Sequence, residues 1–85
     1  MSLDGIRDDV NEGKITFGPH LVQRMTEKGI SIEQVLDVIL TGNVRKKESD
    51  DRSRGKFRKF TISKGEIVVV VKDCVPGFII TTGRR

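Results

Sequence analysis

The chain has 85 residues, a formal net charge of +4 and 33% charged residues. This length allows one domain, spanning residues 1–85, with a thin hydrophobic core. The sequence has no run of about 18 apolar residues, which excludes a membrane-spanning helix, and its single cysteine, Cys74, excludes an intrachain disulfide. The first residues do not resemble a signal peptide, so we expect a cytoplasmic protein that makes no contact with a membrane.

The positive charge is concentrated in the second half of the chain. Residues 1–42 contain four Lys or Arg and seven Asp or Glu, a net charge of −3, whereas residues 43–85 contain twelve and five, a net charge of +7. A basic half on a small domain is the electrostatic footprint of a protein that binds a polyanion. It is equally typical of a surface whose lysines only confer solubility. Charge alone leaves both interpretations open.

The chain begins with a predicted helix and a short extended piece. Ile6 and Val10 lie four residues apart with acidic residues between them, which predicts an amphipathic helix that ends near Gly13. Residues 15–17 are expected to form a short extended piece.

Two further helices are predicted from their capping residues. Pro19 is favoured at a first helical position and Gly29 at the residue after a helix, so the second helix lies between them. Ser31 and Gln34 have the spacing of a capping box, which predicts the start of a third helix that ends before Gly42. The apolar stripe predicted for the second helix consists of Leu21, Val22 and Met25.

From residue 43 onward the pattern is typical of strands. Strands are predicted over residues 44–48, 56–62, 67–71 and 78–82, with a mobile loop over 49–55. The alternation in the second of these strands places Arg58, Phe60 and Ile62 on the face that meets the helices. We therefore expect an α+β fold in which three N-terminal helices pack on one face of a four-stranded antiparallel sheet.

The best candidate for chemistry is a pair of residues on the second helix. His20 is the only histidine, and Arg24 lies one turn later on the same helix face. An imidazole near a helix N-terminus, which attracts anions, can act as general acid or base on a phosphodiester. Arg24 can clamp a phosphate through two hydrogen bonds, and Arg58 can add positive charge. Alternatively, His20 is an ordinary exposed residue and Arg24 pairs with Glu27 or Gln23.

Several other residues are candidates for a supporting role. Thr81 has a hydroxyl that can hydrogen-bond a substrate. Four basic residues are predicted to contact nucleic acid: Lys28, Lys56, Lys59 and Arg54. The sequence has no phosphate-binding glycine loop, no HExxH and no cysteine cluster, so we expect neither a metal ion nor another cofactor.

The segment His20–Met25 (HLVQRM), followed by Lys28–Ser31 (KGIS), resembles a bacterial family of uncharacterised small domains. The signature of that family reads H-A-x-x-R-M-x-x-R-G-I-[ST], and the resemblance covers about residues 14–82. The chain departs from the signature at Leu21 and at Lys28, where the family has a small residue and an arginine. A lysine cannot bind a phosphate in the bidentate fashion of an arginine, so the resemblance does not carry such a contact over to Lys28.

Such domains are similar to RelE-like toxins and to the wider barnase–EndoU–colicin–RelE group of metal-independent ribonucleases. This resemblance implies helices followed by an antiparallel sheet. It also implies an RNA-cleaving site that contains His20 and Arg24 from a helix, with Arg58 and Thr81 from the sheet.

Three hypotheses about function follow. In the first, the chain is a RelE-like, toxin-type endoribonuclease that cleaves RNA through the ribose 2′-hydroxyl. In the second, it is a non-catalytic module of the same fold that binds nucleic acid or a protein. In the third, its basic half pairs with an acidic antitoxin or with a second copy of the chain.

Overall fold

A computed structural model describes residues 3–49 and 58–85. The described part contains α1 (Leu3–Asn11), β1 (Thr16–Phe17), α2 (Pro19–Lys28), α3 (Ile32–Thr41), β2 (Asn43–Ser49), β3 (Arg58–Lys64), β4 (Ile67–Asp73) and β5 (Phe78–Arg84). None of its helices has the length and apolar character needed to cross a membrane. Arg54 and Lys56, predicted to contact nucleic acid, lie outside the described residues, and so does the predicted loop from residue 50 on.

The ends of α2 and α3 lie where their capping residues predict. α2 begins at Pro19, and Gly29 after its last residue has φ 64°, the left-handed conformation that glycine adopts without strain. The capping box of α3 is present, because Ser31 Oγ accepts a hydrogen bond from the Gln34 N–H at 3.1 Å and Gln34 Oε1 accepts one from the Ser31 N–H at 2.8 Å. The helix signals in the sequence are thus confirmed.

The sheet has five strands, in the order β1-β5-β4-β3-β2. β2 to β5 form the predicted antiparallel meander, but β1 pairs in parallel with the start of β5. The prediction of four antiparallel strands is therefore incomplete. β1 is only two residues long, and it is held by hydrogen bonds at its two ends: Thr16 N–H donates to Gly77 O at 2.8 Å and Gly18 N–H donates to Ile79 O at 2.8 Å.

The three helices pack on the predicted face of the sheet. Leu21 of α2, Ile39 of α3 and Phe60 of β3 are all 0% exposed and belong to one core cluster. Burying a side chain of this size stabilises the fold by about 1.5–3 kcal/mol. Val22 was expected in the buried stripe of α2 and is instead 65% exposed. It lies about 100° around the helix from Leu21, and Leu21 with Met25 already fills the side that faces the core.

Asp73, at the end of β4, places a carboxyl group beside the core. Its side chain is 4% exposed, and no donor in residues 3–49 or 58–85 hydrogen-bonds to its Oδ2. Burial raises the pKa of Asp73; the positive charge of Arg58 opposes this effect and the negative charge of Asp9 adds to it. Because the pKa is higher in the folded state, the free energy of unfolding falls as the pH rises from the unfolded-state pKa of Asp73 through its folded-state pKa. Below the unfolded-state pKa this loss of stability is absent.

We therefore expect Asp73→Asn to be more stable than the wild type at pH 7, by about 1 kcal/mol, or about 4–8 °C in Tm. At pH 3, below the unfolded-state pKa of about 3.9, the two proteins should unfold at similar temperatures. Asp37 is the control, because a hydrogen bond from Lys64 lowers its pKa, so Asp37→Asn should not stabilise at pH 7. Thermal unfolding monitored by circular dichroism measures the Tm of both variants. A lower Tm for Asp73→Asn than for the wild type at pH 7 would contradict the raised pKa of Asp73.

Candidate active site in the groove between α2 and β5

α2 runs beside β5 in the direction of the strand and is attached to it at both ends. At its start, the Gly18 N–H donates to Ile79 O at 2.8 Å. A side chain at Gly18 would have its Cβ 3.0 Å from that same oxygen, so the close approach favours glycine. At its end, Arg84 Nε donates to Lys28 O at 2.7 Å and Arg84 Nη2 to Gly29 O at 3.1 Å. These contacts fix the spacing between helix and strand.

A groove of about 550 Å³ lies between α2 and β5. It is lined by His20, Gln23, Arg24 and Glu27 of α2 and by Ile80 and Thr81 of β5. The helix residues follow the i, i+3, i+4, i+7 spacing, so they form one polar stripe along α2. They are exposed, whereas the two strand residues are half-buried. The groove therefore has a polar, accessible wall and a more buried floor.

A β-bulge in β5 shapes this floor. Val70 of β4 pairs with Thr81 and Val71 pairs with Ile79, so Ile80 is an extra residue without an opposite partner. Consecutive residues of a regular strand point to opposite faces of the sheet. A bulge redirects side chains locally, and it allows the neighbours Ile80 and Thr81 to line the same groove.

Arg24 has an ion-pair partner within the groove. Its Nη1 lies 3.9 Å from Glu27 Oε2, and the two side chains are 53% and 45% exposed. This is the pairing that the alternative interpretation of the helix anticipated. An exposed pair of this kind contributes about 0–1 kcal/mol. An anion that enters the groove can therefore displace the Glu27 carboxylate from Arg24 at little cost.

Three of the four predicted catalytic residues come together, and the fourth does not. His20, Arg24 and Thr81 share the groove. Arg58 is not among its lining residues, so the expected approach of an arginine from the sheet to His20 is not seen. The reason lies in the sheet order: Arg58 begins β3, which β4 separates from β5, and it pairs there with Asp73.

The two other described candidates also lie outside the groove. Lys28 ends α2 and its carbonyl accepts the hydrogen bond from Arg84. Lys59 lies on β3 opposite Lys72 of β4. Gln23 and Glu27 line the groove although the sequence did not single them out for chemistry; their spacing from His20 was the available signal. Ile80 had no such signal, since its position depends on the bulge.

The groove combines an imidazole, a guanidinium and a hydroxyl on an open surface. One protein-family model, described as a domain of unknown function, matches residues 17–84, which include every residue that lines the groove. No curated protein and no solved structure matches the chain significantly.

Proposed function

For this chain, which belongs to the DUF4258 family, a domain of unknown function, we propose a function from the groove. The chain is a metal-independent endoribonuclease that acts through the ribose 2′-hydroxyl. The proposal includes a distant kinship with RelE-like toxins, suggested by the HLVQRM segment that contains His20 and Arg24. Its main support is a single observation: the only histidine of the chain shares a groove with Arg24 and Thr81.

In the proposed reaction, His20 acts as general base. It takes the proton of the 2′-hydroxyl, and the 2′-oxygen forms a bond to the adjacent phosphorus while the bond to the 5′-oxygen breaks. The departing 5′-oxygen takes a proton from solvent or from the imidazolium. The products are a 2′,3′-cyclic phosphate and a 5′-hydroxyl.

Arg24 and Thr81 would hold the phosphate during this step. The guanidinium can donate two parallel hydrogen bonds to the non-bridging oxygens, whose negative charge grows in the transition state. The Thr81 hydroxyl, on the half-buried floor, can donate a third. Glu27 would release Arg24 as the phosphate enters, because their ion pair is exposed and long.

The proposal is tested by incubating the protein, in excess EDTA, with a labelled RNA of about 12 nucleotides and with its fully 2′-O-methylated counterpart. We expect cleavage of the RNA alone, since the methylated strand lacks the nucleophile. Arg24→Ala should lower kcat/KM by about 10²-fold, the usual effect of removing one donor to a developing oxyanion. Arg24→Lys should recover only part of this loss because an ammonium cannot bind in bidentate fashion.

Arg85 provides the matched control, since it is an exposed arginine at the end of the chain and does not line the groove. Arg85→Ala should cleave at the wild-type rate. Cleavage of both substrates, or equal losses in Arg24→Ala and Arg85→Ala, would contradict the proposal.

A second candidate function is a binding module without catalysis. The observation that favours it is the composition of the groove: among residues 3–49 and 58–85 its lining includes one arginine, already paired with Glu27, and no arginine from the sheet. This function predicts salt-sensitive binding of RNA with no turnover. The same EDTA assay separates the two, because a binding module leaves both substrates intact.

A further inference from the structure

An aromatic side chain lies beside the groove at the end where α2 begins. Phe78 is the first residue of β5, and its neighbour Ile79 is fully buried in the core, so Phe78 points to the outer face of the sheet, opposite the core. Its Cζ lies 3.0 Å from the position that a Cβ on Gly18 would occupy. Gly18 is the N-cap of α2, two residues before His20. The ring of Phe78 therefore reaches the start of α2, at the His20 end of the groove.

The apolar part of the groove floor continues into this ring. Ile80 lines the groove, and the buried Ile79 separates it from Phe78, so Ile80 and Phe78 share the outer face, about 6.6 Å apart along the strand. Both side chains are half-buried and keep accessible surface. A flat apolar group can lie on this surface while the polar groups attached to it occupy the groove. A nucleobase with its ribose and phosphate has this combination.

The order of the residues along α2 assigns the surface to one nucleotide. α2 runs beside β5 in the direction of the strand, so Phe78, His20 and Arg24 follow one another from the start of the helix. In the proposed reaction, His20 takes the proton of the 2′-hydroxyl, and Arg24 holds the phosphate one helical turn, about 5.4 Å, further on. The base that lies on the other side of His20 therefore belongs to the nucleotide that supplies the 2′-hydroxyl.

We propose that Phe78 is the platform on which this base stacks, and that the substrate is single-stranded RNA. The proposal rests on the proposed function for the identity of the ligand. A base inside a duplex is stacked between its neighbours and is not free to lie on the ring. Every base has a π face, so the platform accepts any sequence. The RNA strand then runs in the 5′-to-3′ direction from Phe78 along α2.

Phe17 supplies the matched control. Among residues 3–49 and 58–85 it is the other phenylalanine with accessible surface, and its side chain is 48% exposed. It pairs with the buried Ile79, so it points to the opposite side of the sheet from Phe78, and it does not line the groove. Phe17→Leu and Phe78→Leu therefore make the same change in side chain on the two sides of the sheet.

The test fixes the cleavage site by leaving a single 2′-hydroxyl in an otherwise 2′-O-methylated strand. On this strand, Phe78→Leu should raise KM about tenfold, within the range for the loss of one base–aromatic stack, and Phe17→Leu should leave KM unchanged. Two further strands carry an abasic ribose, either at the nucleotide with the 2′-hydroxyl or at the next one. The first has no base to stack, so its KM should be the same for Phe78→Leu and the wild type. The second should keep the tenfold difference.

Three results would overturn the platform. They are an unchanged KM for Phe78→Leu on the intact strand, an equal rise for Phe17→Leu, and a difference that persists when the nucleotide with the 2′-hydroxyl is abasic. The last would mean that Phe78 acts through the fold and not through the base. Annealing the intact strand to a 2′-O-methylated complement should abolish cleavage, and cleavage of the duplex at the rate of the single strand would contradict the assigned substrate.

If the wild type cleaves nothing, the proposed function fails and the platform is tested by binding alone. Fluorescence anisotropy compares an intact RNA strand with a fully abasic strand that has the same phosphates. Phe78→Leu should weaken binding of the intact strand about tenfold and leave binding of the abasic strand unchanged. Equal affinities of Phe78→Leu and the wild type for the intact strand would overturn the platform.

Discussion

His20→Ala is expected to lower the rate of RNA cleavage by about 10²–10⁴-fold, the range that one positioned general acid or base contributes. RNA affinity should change little, because Arg24, the proposed phosphate contact, is unaffected. His20 is exposed on α2, so the variant should unfold at the wild-type temperature. Single-turnover cleavage of the labelled RNA in EDTA measures the effect of the variant on the chemical step. A separate measurement of RNA affinity shows whether binding is unchanged.

Gln23 supplies the matched control for this variant. It lines the same groove from the same stripe of α2 and is also exposed, but its amide cannot accept the 2′-hydroxyl proton. Gln23→Ala should therefore keep most of the cleavage rate. If His20→Ala retains wild-type activity, or if it loses no more than Gln23→Ala, His20 is not the general base.

The largest expected effect on stability comes from Gly42→Ala. Gly42 lies between α3 and β2, and a Cβ there would come within 3.0 Å of the carbonyl oxygens of Val38 and Ser63 and of a methyl group of Ile62. Two of these atoms are backbone, so they cannot rotate away. We expect a loss of about 3 kcal/mol, out of a total of about 4–13 kcal/mol for a chain of this length. Tm should fall by about 12–24 °C.

Gly5→Ala is the corresponding control. Gly5 lies within α1 with no atom within 4 Å of a Cβ placed on it. Alanine is the better helix former, so this variant should be as stable as the wild type or more stable by about 0.5–1 kcal/mol. Chemical denaturation of the two variants measures the difference. Equal stability of Gly42→Ala and the wild type would show that the α3–β2 connection relaxes freely.

The helices were predictable because their signals are local. Pro19, Gly29 and the Ser31–Gln34 capping box each act within a few residues of the chain. The central position of β4 was equally readable, since a strand that is apolar on both faces needs neighbours on both sides. For the same reason, the spacing of His20 and Arg24 was enough to place them on one helix face.

The remaining features depend on tertiary contacts that no local pattern encodes. The extended segment at residues 15–17 was predicted, but its place in the sheet was not, because the parallel pairing of β1 with the start of β5 is a tertiary contact. The bulge that brings Ile80 beside Thr81 follows from the register between β4 and β5. The distance of Arg58 from the groove follows from strand order. Pairing with an acidic antitoxin or a second copy, and the cytoplasmic location, stay predictions.

The new ends of the cleaved RNA test the central claim most directly. Mass spectrometry of the products of wild-type digestion in EDTA should find 5′-hydroxyl ends together with 2′,3′-cyclic phosphates or the 3′-phosphates formed by their hydrolysis. Products with 3′-hydroxyl and 5′-phosphate ends would contradict attack by the 2′-oxygen, and intact RNA would contradict catalysis in the groove of His20, Arg24 and Thr81 altogether.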